Sequence, residues 1–426
     1  MTDLSSENLS EVLFKPTRKS LETSFISNSV AELPKSDIKT SFDTSCWFRQ
    51  LSETYWGWLG CDMIKIKSAI ARIAASKGQR TREGILDTVY EYGPGNWIYE
   101  FSMLGRDSNL EAQKAEEALD KEEAYRLYRL AYLYYDIASY PHLRGDELGS
   151  QASLQHYINY RKAAQLAEGD FVEIKFPVAG ERQQASAFIH TPDKTKLCPC
   201  VIVCSNLQNL ATEYLRIYRE CFYPHGIALV ACDLPGMGLN SNISLTPETG
   251  IIHSALIDYI KSSVPFLDQT RIGVMAQRFG GNVAVHLLTQ KEPDIKCCCI
   301  IGPLINEYFT NKEFMVKTPS MQRANIANKM NFDAAQWDNV IPQLQAYSVK
   351  KQGVLNGLHL DLPIYIVGFE GDYLCPKADL QLLKYACKNA ELEILSLESD
   401  EHAFNVFAKT LKKVTDWLVS QLKSAE

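Results

Sequence analysis

The apolar residues in the first part of the chain follow a helical repeat. Between about residues 47 and 167 they recur at intervals of three and four, the spacing of one helix face. The series begins with Trp47, Leu51, Tyr55, Trp58, Ile64, Ile66, Ile70 and Ile73. Segments containing glycine and proline interrupt it at 93–96 and 140–145. The pattern predicts a helical domain over residues 41–168.

After Gly169 the pattern changes to short apolar runs separated by helical stretches. The runs that predict strands are 171–176, 184–190, 199–204, 226–232, 271–276, 296–301, 363–368 and 392–397. The stretches that predict helices are 212–222, 250–264, 280–288 and 403–422. This alternation predicts an α/β fold over residues 169–426, with a mostly parallel sheet covered by helices on both faces.

Two segments carry neither strong pattern. Residues 1–40 are rich in serine, threonine, asparagine, glutamate and lysine without periodicity, so we expect a mobile tail there. Residues 304–360 lie between the sixth and seventh predicted strands and contain helix-like stretches but no strand. An insertion at this place either shapes a pocket or only adds surface, and the sequence leaves both alternatives open.

The stretch 271–285 predicts a buried strand, a sharp turn and the start of a helix. At the turn stand Ala276, Gln277, Arg278, Phe279 and Gly280, which match the small-x-nucleophile-x-glycine form of a nucleophile elbow. The small residues of the motif are present, but its central position is Arg278. A guanidinium stays protonated at any working pH and is therefore not a nucleophile.

Two further positions complete a triad-like order along the chain. Asp372 follows the seventh predicted strand, and His402 follows the eighth and precedes the last predicted helix. An oxyanion-binding pair would use the backbone N–H of Phe279 and one N–H from Ser205 or Asn206, after the third strand. The loop at 205–206 lacks the glycines that allow close backbone approach, which weakens this expectation.

With arginine at the elbow, His402 has no hydroxyl or thiol to activate there. We expect Arg278 to pair with Asp372 or with a ligand carboxylate, and to lower the pKa of a nearby His402. Two other candidate nucleophiles, Ser205 and Cys375, lie close to these positions in the sequence, but neither is on an elbow.

Composition narrows the class of protein. The formal net charge of -7 over 426 residues disfavours nucleic acid or an anionic membrane as the main partner. No apolar run approaches the ~18 residues that span a bilayer, and the N-terminus has no signal-peptide pattern. The 12 cysteines stand mostly in strand-like apolar runs, as expected of a reduced cytosolic protein. Since there is no CxxC pair and no histidine cluster, we expect no metal and no cofactor.

Several longer motifs give the chain a family resemblance from about residue 45 onward. They are Gly95 to Glu100, Tyr140 to Leu148, Arg278 to Val285, Gly302-Pro303 and Tyr347 to Gly353. With these motifs the sequence resembles the FrsA-type, or fermentation–respiration switch, group of α/β-hydrolases. The resemblance implies an α/β-hydrolase domain after a helical domain, and an esterase acting on carboxylic esters. It also implies a possible partner, the glucose-specific IIA component of the phosphotransferase system.

Three functions remain open from the sequence. In the first, the protein hydrolyses small carboxylic esters, with water activated by His402 and with Arg278 binding a carboxylate or the oxyanion. In the second, it is a catalytically silent metabolic regulator that uses the fold to bind a partner. In the third, it is a cofactor-free lyase acting on a small keto acid, which an arginine in the pocket would suit.

Overall fold

The computed structural model describes residues 46–291, 294–356, 360–372, 374–396 and 403–423, with side chains of the last segment from Val406 onward. The tail predicted at 1–40 and the predicted histidine His402 lie outside these residues.

The first part of the chain is helical. Its helices are α1 (Glu53–Leu59), α2 (Met63–Ala75), α3 (Trp97–Glu117), α4 (Lys121–Ser139) and α5 (Glu147–Leu166). An Asp or Asn side chain accepts a backbone N–H at the start of α2, α3, α4 and α5, from Asp62, Asn96, Asp120 and Asp146. Such caps satisfy donors that have no intrahelical acceptor, and they explain where these helices begin.

Two details of the helical pattern were wrong. The periodicity includes Leu51, but residues 50–52 are not helical, and the first helix begins at Glu53. Ile64 is 79% exposed, while Ile66, Ile70 and Ile73 on the same helix are buried. Ile64 is the second residue of α2 and lies off the buried face, so the inward stripe begins at Ile66.

The rest of the described chain forms an eight-stranded sheet in the order β1-β2-β4-β3-β5-β6-β7-β8. Its strands are β1 (Asp170–Phe176), β2 (Ala185–Thr191), β3 (Cys198–Cys204), β4 (Ala228–Cys232), β5 (Leu267–Gln277), β6 (Ile295–Ile301), β7 (Ile364–Phe369) and β8 (Ala390–Leu395). β2 runs antiparallel to β1 and β4, and the other pairs are parallel. The predicted α/β class with a mostly parallel sheet is confirmed.

Helices cover the sheet. A series of short helical turns spans 211–225. The α-helices after these turns are α6 (Ile251–Ser263), α7 (Phe279–Lys291), α8 (Glu307–Thr310), α9 (Lys312–Lys317), α10 (Ser320–Lys329), α11 (Trp337–Leu344), α12 (Lys377–Ala386) and α13 (Ala403–Lys423). Helices α8 to α11 occupy the segment between β6 and β7, where the sequence predicted helices and no strand. Among the described residues, no helix is long and apolar enough to cross a membrane.

One hydrophobic core joins the helical part to the sheet. The ring of Tyr160 on α5 lies 4.9 Å, centroid to centroid, from Phe188 on β2. The Tyr160 hydroxyl also makes a 2.5 Å hydrogen bond with Nε2 of His190. Trp47 in the helical part, Phe188 on β2 and Leu422 on α13 belong to the same cluster of buried residues. The helical part therefore packs directly on the sheet, and its position relative to the strand ends is fixed by burial.

Candidate functional site

Arg278 occupies the turn between β5 and α7 with a φ of 50°, in the left-handed region. A residue with a side chain reaches this conformation at a cost of about 1–3 kcal/mol, so its surroundings must hold it there. Three backbone hydrogen bonds do so. The Arg278 N–H donates to Ile301 O at 3.0 Å, and the Arg278 carbonyl accepts from Gly281 at 3.0 Å and from Leu304 at 3.1 Å.

Two glycines after the turn allow close packing. A Cβ atom at Gly280 would lie 2.0 Å from the carbonyl oxygen of Cys204, at the end of β3. One at Gly281 would lie 2.4 Å from the Cβ of Pro303, after β6. The start of α7 is thus pressed against the loops that follow both neighbouring strands. This contact is the physical reason for the small residues of the elbow motif, and the motif keeps its geometry although its centre is an arginine.

The Arg278 side chain is paired. Its Nη1 donates to Oδ2 of Asp372 in an ion pair, and lies 3.5 Å from the carbonyl oxygen of Gly302. Asp372 Oδ1 also accepts from the Leu374 N–H at 3.1 Å. Gly302 makes room for the guanidinium, because a Cβ there would lie 2.7 Å from Nη1. The side chain of Arg278 is 32% exposed and that of Asp372 only 8%, so the pair lies at the bottom of an opening.

That opening, the Arg278 cleft, consists of two neighbouring cavities of about 460 Å³ and about 190 Å³. Both are lined by Arg278, Asn206, Gln50 and Gln208. The larger cavity is bounded by the helical part, and its walls include Trp56, Asp136, Ile137, Tyr140 and, from α13, Phe407. The smaller one is bounded by the insertion, with Tyr308, Gln322, Asn325 and Ile326. The helical part and the insertion therefore both shape the space above the elbow.

Two of the three predicted oxyanion-binding residues, Phe279 and Asn206, line this cleft. Phe279 is the first residue of α7, so its backbone N–H has no acceptor within the helix. Asn206 uses its Oδ1 to accept from the Leu207 N–H at 2.8 Å. Ser205 is fully buried, and its Oγ has no hydrogen-bond partner among the described residues.

The two alternative nucleophiles are not on the walls of either cavity. Ser205 lies behind the cleft, where its backbone carbonyl faces Gly280. Cys375 is 1% exposed, and burial raises the pKa of its thiol far above the ordinary value. A buried neutral thiol is a poor nucleophile. His402, the predicted base, lies outside the described residues, one position before α13 begins.

Sequence reasoning missed a buried acidic group on the wall of the larger cavity. Glu213 accepts from the Tyr55 hydroxyl at 2.6 Å, from Asn209 Nδ2 at 3.0 Å and from the Leu210 N–H at 3.0 Å. Burial raises the pKa of Glu213 to about 7, and it also raises that of its neighbour Asp136 well above the ordinary value. The sequence signal for this group was a single glutamate inside an apolar stretch. A buried glutamate is uncommon unless its carboxylate is paired.

Comparisons with known proteins fit this geometry. The sequence profile described as "Esterase FrsA-like" matches residues 4–423. The chain is 33% identical over 425 residues to Esterase FrsA of Photobacterium profundum, covering 99% of this chain and 100% of the relative. It is 31% identical over 424 residues to Esterase FrsA of Yersinia pestis (strain Pestoides F), with the same coverage. The chain belongs to the FrsA-like esterase family.

A solved structure supports the fold of this FrsA-like chain. The 2,6-dihydroxy-pseudo-oxynicotine hydrolase is similar with a TM-score of 0.70 and 18% sequence identity, over 88% of this chain and 96% of that one. At that identity the likeness shows a shared α/β-hydrolase fold and carries no statement about substrate. Among the described residues, no group of three or more His, Cys, Asp or Glu side chains is placed to hold a metal ion.

Proposed function

We propose that this FrsA-like protein hydrolyses small carboxylic esters in the Arg278 cleft without forming a covalent intermediate. The observation that carries the proposal is the position of the guanidinium. Arg278 stands at the elbow, at the bottom of an open cleft, beside the N-terminus of α7. A fixed cation next to an N–H at a helix start favours negative charge developing on a carbonyl oxygen.

The reaction needs no side-chain nucleophile in this scheme. A water molecule attacks the ester carbonyl carbon while His402 accepts a proton from it as general base. The carbonyl oxygen becomes negative and is stabilised by Arg278 and by the Phe279 N–H. The bond to the alcohol oxygen then breaks, and His402 returns the proton to that oxygen, so that a carboxylic acid and an alcohol leave.

Asp372 has a positioning role in this proposal. Its Oδ2 accepts from Arg278, and its Oδ1 accepts from the Leu374 N–H. These contacts fix the guanidinium against the turn and balance its charge. Because the carboxylate is already engaged, we expect it to act on catalysis through Arg278 as well as through His402.

The experiment that tests this scheme compares two esters. One is neutral 4-nitrophenyl acetate, and the other is mono-4-nitrophenyl succinate, which carries a free carboxylate. Wild type should hydrolyse at least one of them faster than buffer. Arg278→Gln should lose about 10²–10³-fold in kcat on both esters if the guanidinium stabilises the oxyanion. It should raise KM only for the succinate ester if the guanidinium binds a carboxylate.

Arg106→Gln is the matched control. Arg106 is exposed on α3 and pairs with its neighbour Asp107, so this variant should match wild type. If wild type turned over neither ester above the buffer rate, the proposal would be wrong.

A second candidate is a catalytically silent regulator, and the ion pair favours it. Arg278 takes the place of a nucleophile and holds the carboxylate of Asp372. The partner implied by the family resemblance is the glucose-specific IIA component of the phosphotransferase system. Calorimetric titration of the full chain with the purified IIA component would test this role. Saturable binding together with absent ester turnover would favour it over the enzyme.

The lyase alternative shares the arginine with both of these candidates. No contact among the described residues favours the lyase reaction over ester hydrolysis. It therefore stays a prediction of the sequence, and release of carbon dioxide from a small keto acid would test it.

A further inference from the structure

A second cavity, of about 850 Å³, lies between the helical part and the insertion. It shares no lining residue with the Arg278 cleft. Its walls come from the turn after α4, the first turns of α5, the loop at 238–242, and α10 with the turn that follows. The lining residues that matter here are Arg144, Ser150, Ser153, Asn242, Asn328 and Asp333. We call it the Arg144 cavity.

Arg144 is a half-buried cation without a described acidic partner. Its Nη1 lies 3.5 Å from Ser244 Oγ and 3.4 Å from the carbonyl oxygen of Lys329, and both oxygens are neutral. None of the ion pairs found among the described residues includes Arg144. Burial lowers the pKa of Arg144, but a guanidinium stays charged. A desolvated charge of this kind is stabilised by an anion that reaches it.

The backbone of Arg144 is held in place by the insertion. Its N–H donates to Asn328 Oδ1 at 2.6 Å, and its carbonyl accepts from Asn328 Nδ2 at 3.0 Å. This reciprocal pair fixes the start of the Arg144 side chain at the edge of the cavity. The backbone from which the guanidinium extends is therefore held by protein contacts that do not depend on a ligand.

A second buried cation stands behind the same wall. Lys329 Nζ donates to the His142 carbonyl at 3.2 Å and to Asn325 Oδ1, and both acceptors are neutral. Burial lowers the pKa of Lys329 to about 7, with a further lowering contribution from the nearby Arg144. His142, which lines the cavity, has its pKa lowered well below the ordinary value by burial, so its ring is neutral.

One carboxylate reaches the lining of the Arg144 cavity. Asp333 is exposed, and its Oδ1 accepts the Ala335 N–H at 2.9 Å. This bond assigns the side chain to capping the turn that follows α10.

Three more carboxyl groups lie behind the lining: Asp146 accepts the Gly149 N–H at 3.0 Å, Asp233 accepts from the Tyr157 hydroxyl at 3.0 Å, and Asp136 lies 3.5 Å from His142 Nε2. Burial raises the pKa of each of them, which weakens their negative charge. Arg144 is the cation among the described lining residues.

We propose that the Arg144 cavity binds a small anion that carries a carboxylate or phosphate group. The anionic oxygens would accept from the guanidinium of Arg144, and Ser150, Ser153 and Asn242 would offer neutral hydrogen-bonding groups to the rest of the ligand. A cavity of this volume falls within the range of about 300–1,000 Å³ that small-molecule sites occupy.

Helix α10 forms a common wall between this site and the Arg278 cleft. Ala324 and Asn328 line the Arg144 cavity, while Gln322, Asn325 and Ile326 line the smaller part of the cleft. Asn325 also accepts from Lys329 and donates to the Leu207 carbonyl at 2.7 Å. An anion held at Arg144 would therefore lie beside the helix that bounds the Arg278 cleft, which gives a physical route for regulation.

The test is binding, and it does not depend on esterase activity. The full chain is titrated calorimetrically with inorganic phosphate and, separately, with succinate, at constant ionic strength set by sodium chloride. We expect saturable binding of at least one probe, and which probe binds identifies the preferred group. Arg144→Gln should weaken binding at least tenfold, and Arg144→Lys should weaken it less, because it keeps the charge without the planar donor set.

Three further variants make the outcome decisive. Ser153→Glu places a negative charge on the lining and should also weaken binding at least tenfold, without touching the backbone contacts of Arg144. Arg106→Gln should bind as wild type does. Arg278→Gln should keep the binding that depends on Arg144, because the two sites share no lining residue. No saturation with either probe, unchanged binding in Arg144→Gln and Ser153→Glu, or loss of binding in Arg278→Gln would each overturn the proposal.

Discussion

Arg278 and Asp372 form an ion pair that joins the elbow after β5 to the loop after β7. Arg278 holds a strained turn with a φ of 50°, and the sequence predicts this turn as the centre of a nucleophile elbow. Its charge is balanced by Asp372, which the sequence predicts as the acidic partner. The Arg278 cleft is thus organised around a cation that an ion pair holds in place.

Loss of the Asp372 carboxylate should destabilise the fold. Asp372→Asn leaves the guanidinium of Arg278 uncompensated in a partly enclosed position, so we expect a loss of about 1–3 kcal/mol in the free energy of unfolding. Urea denaturation at pH 7 measures it. Asp416→Asn removes one partner of an exposed pair with Lys412 and should change stability by less than about 0.5 kcal/mol. Equal effects of the two variants would contradict a structural role for Asp372.

The elbow should not tolerate a methyl group at Gly280. The added Cβ would meet the Cys204 carbonyl oxygen at 2.0 Å, and that oxygen belongs to backbone that cannot move aside cheaply. Gly280→Ala should therefore cost about 3 kcal/mol or more. Gly93→Ala is the control, since a Cβ there meets nothing within 4 Å. Similar thermal stability of Gly280→Ala and Gly93→Ala would show that α7 is packed less tightly than described.

Glu213 should make the protein less stable as the pH rises through the acidic range. Its pKa is raised from an ordinary value of 4.5 to about 7 in the folded protein. The folded state therefore binds the proton more tightly, and stability falls between about pH 4.5 and pH 7. Glu213→Gln cannot ionise and should remove up to about 3 kcal/mol of this fall.

Urea denaturation from pH 4.5 to pH 8 tests the effect of Glu213. Glu117→Gln, an exposed position on α3, should keep the wild-type pH profile. Parallel profiles of wild type and Glu213→Gln would show that the carboxyl is solvated more than its burial implies.

Lys329 should make the protein more stable as the pH rises through the alkaline range, which is the opposite of the effect of Glu213. Burial lowers its pKa from an ordinary 10.5 to about 7. The unfolded chain binds the proton more tightly, so stability rises as the pH increases from about 7 towards 10. The slope should be on the order of 1 kcal/mol per pH unit.

Lys329→Met should lack this rise in stability, and Lys67→Met, at an exposed position of α2, should retain it. Denaturation at pH 7, 8 and 9 measures the slope. A wild-type slope that survives in Lys329→Met would assign the effect to another group.

The fold could be predicted from the sequence because its central strands are apolar throughout. β3 and β4 are buried at every position, so their residues form continuous apolar runs that predict central strands. β8 is partly exposed along its length, and its predicted bounds of 392–397 were two residues too late at the start. An edge strand has a weaker apolar pattern because it has a neighbouring strand on only one side.

The candidate site was only partly predictable. The elbow around Arg278 could be recognised in the sequence, because the close packing at Gly280 requires a residue without a side chain. The place of Glu213 on the wall of the larger cavity could not be predicted. Its hydrogen-bond partner Tyr55 lies 158 positions away in the sequence and is brought near by packing of the helical part on the sheet. Burial of Ser205 likewise depends on contacts that no local pattern encodes. The role of His402 remains a prediction of its order along the chain.

Hydrolysis of a short-chain aryl ester by wild type, His402→Ala and Arg278→Ser, measured side by side, tests the central claim most directly. His225→Ala, at an exposed position, is the control and should match wild type. We predict turnover by wild type and a loss of about 10²–10⁴-fold in His402→Ala, the usual size of a general-base contribution. Wild type no faster than His402→Ala, with activity gained in Arg278→Ser, would contradict the account and identify a silenced hydrolase.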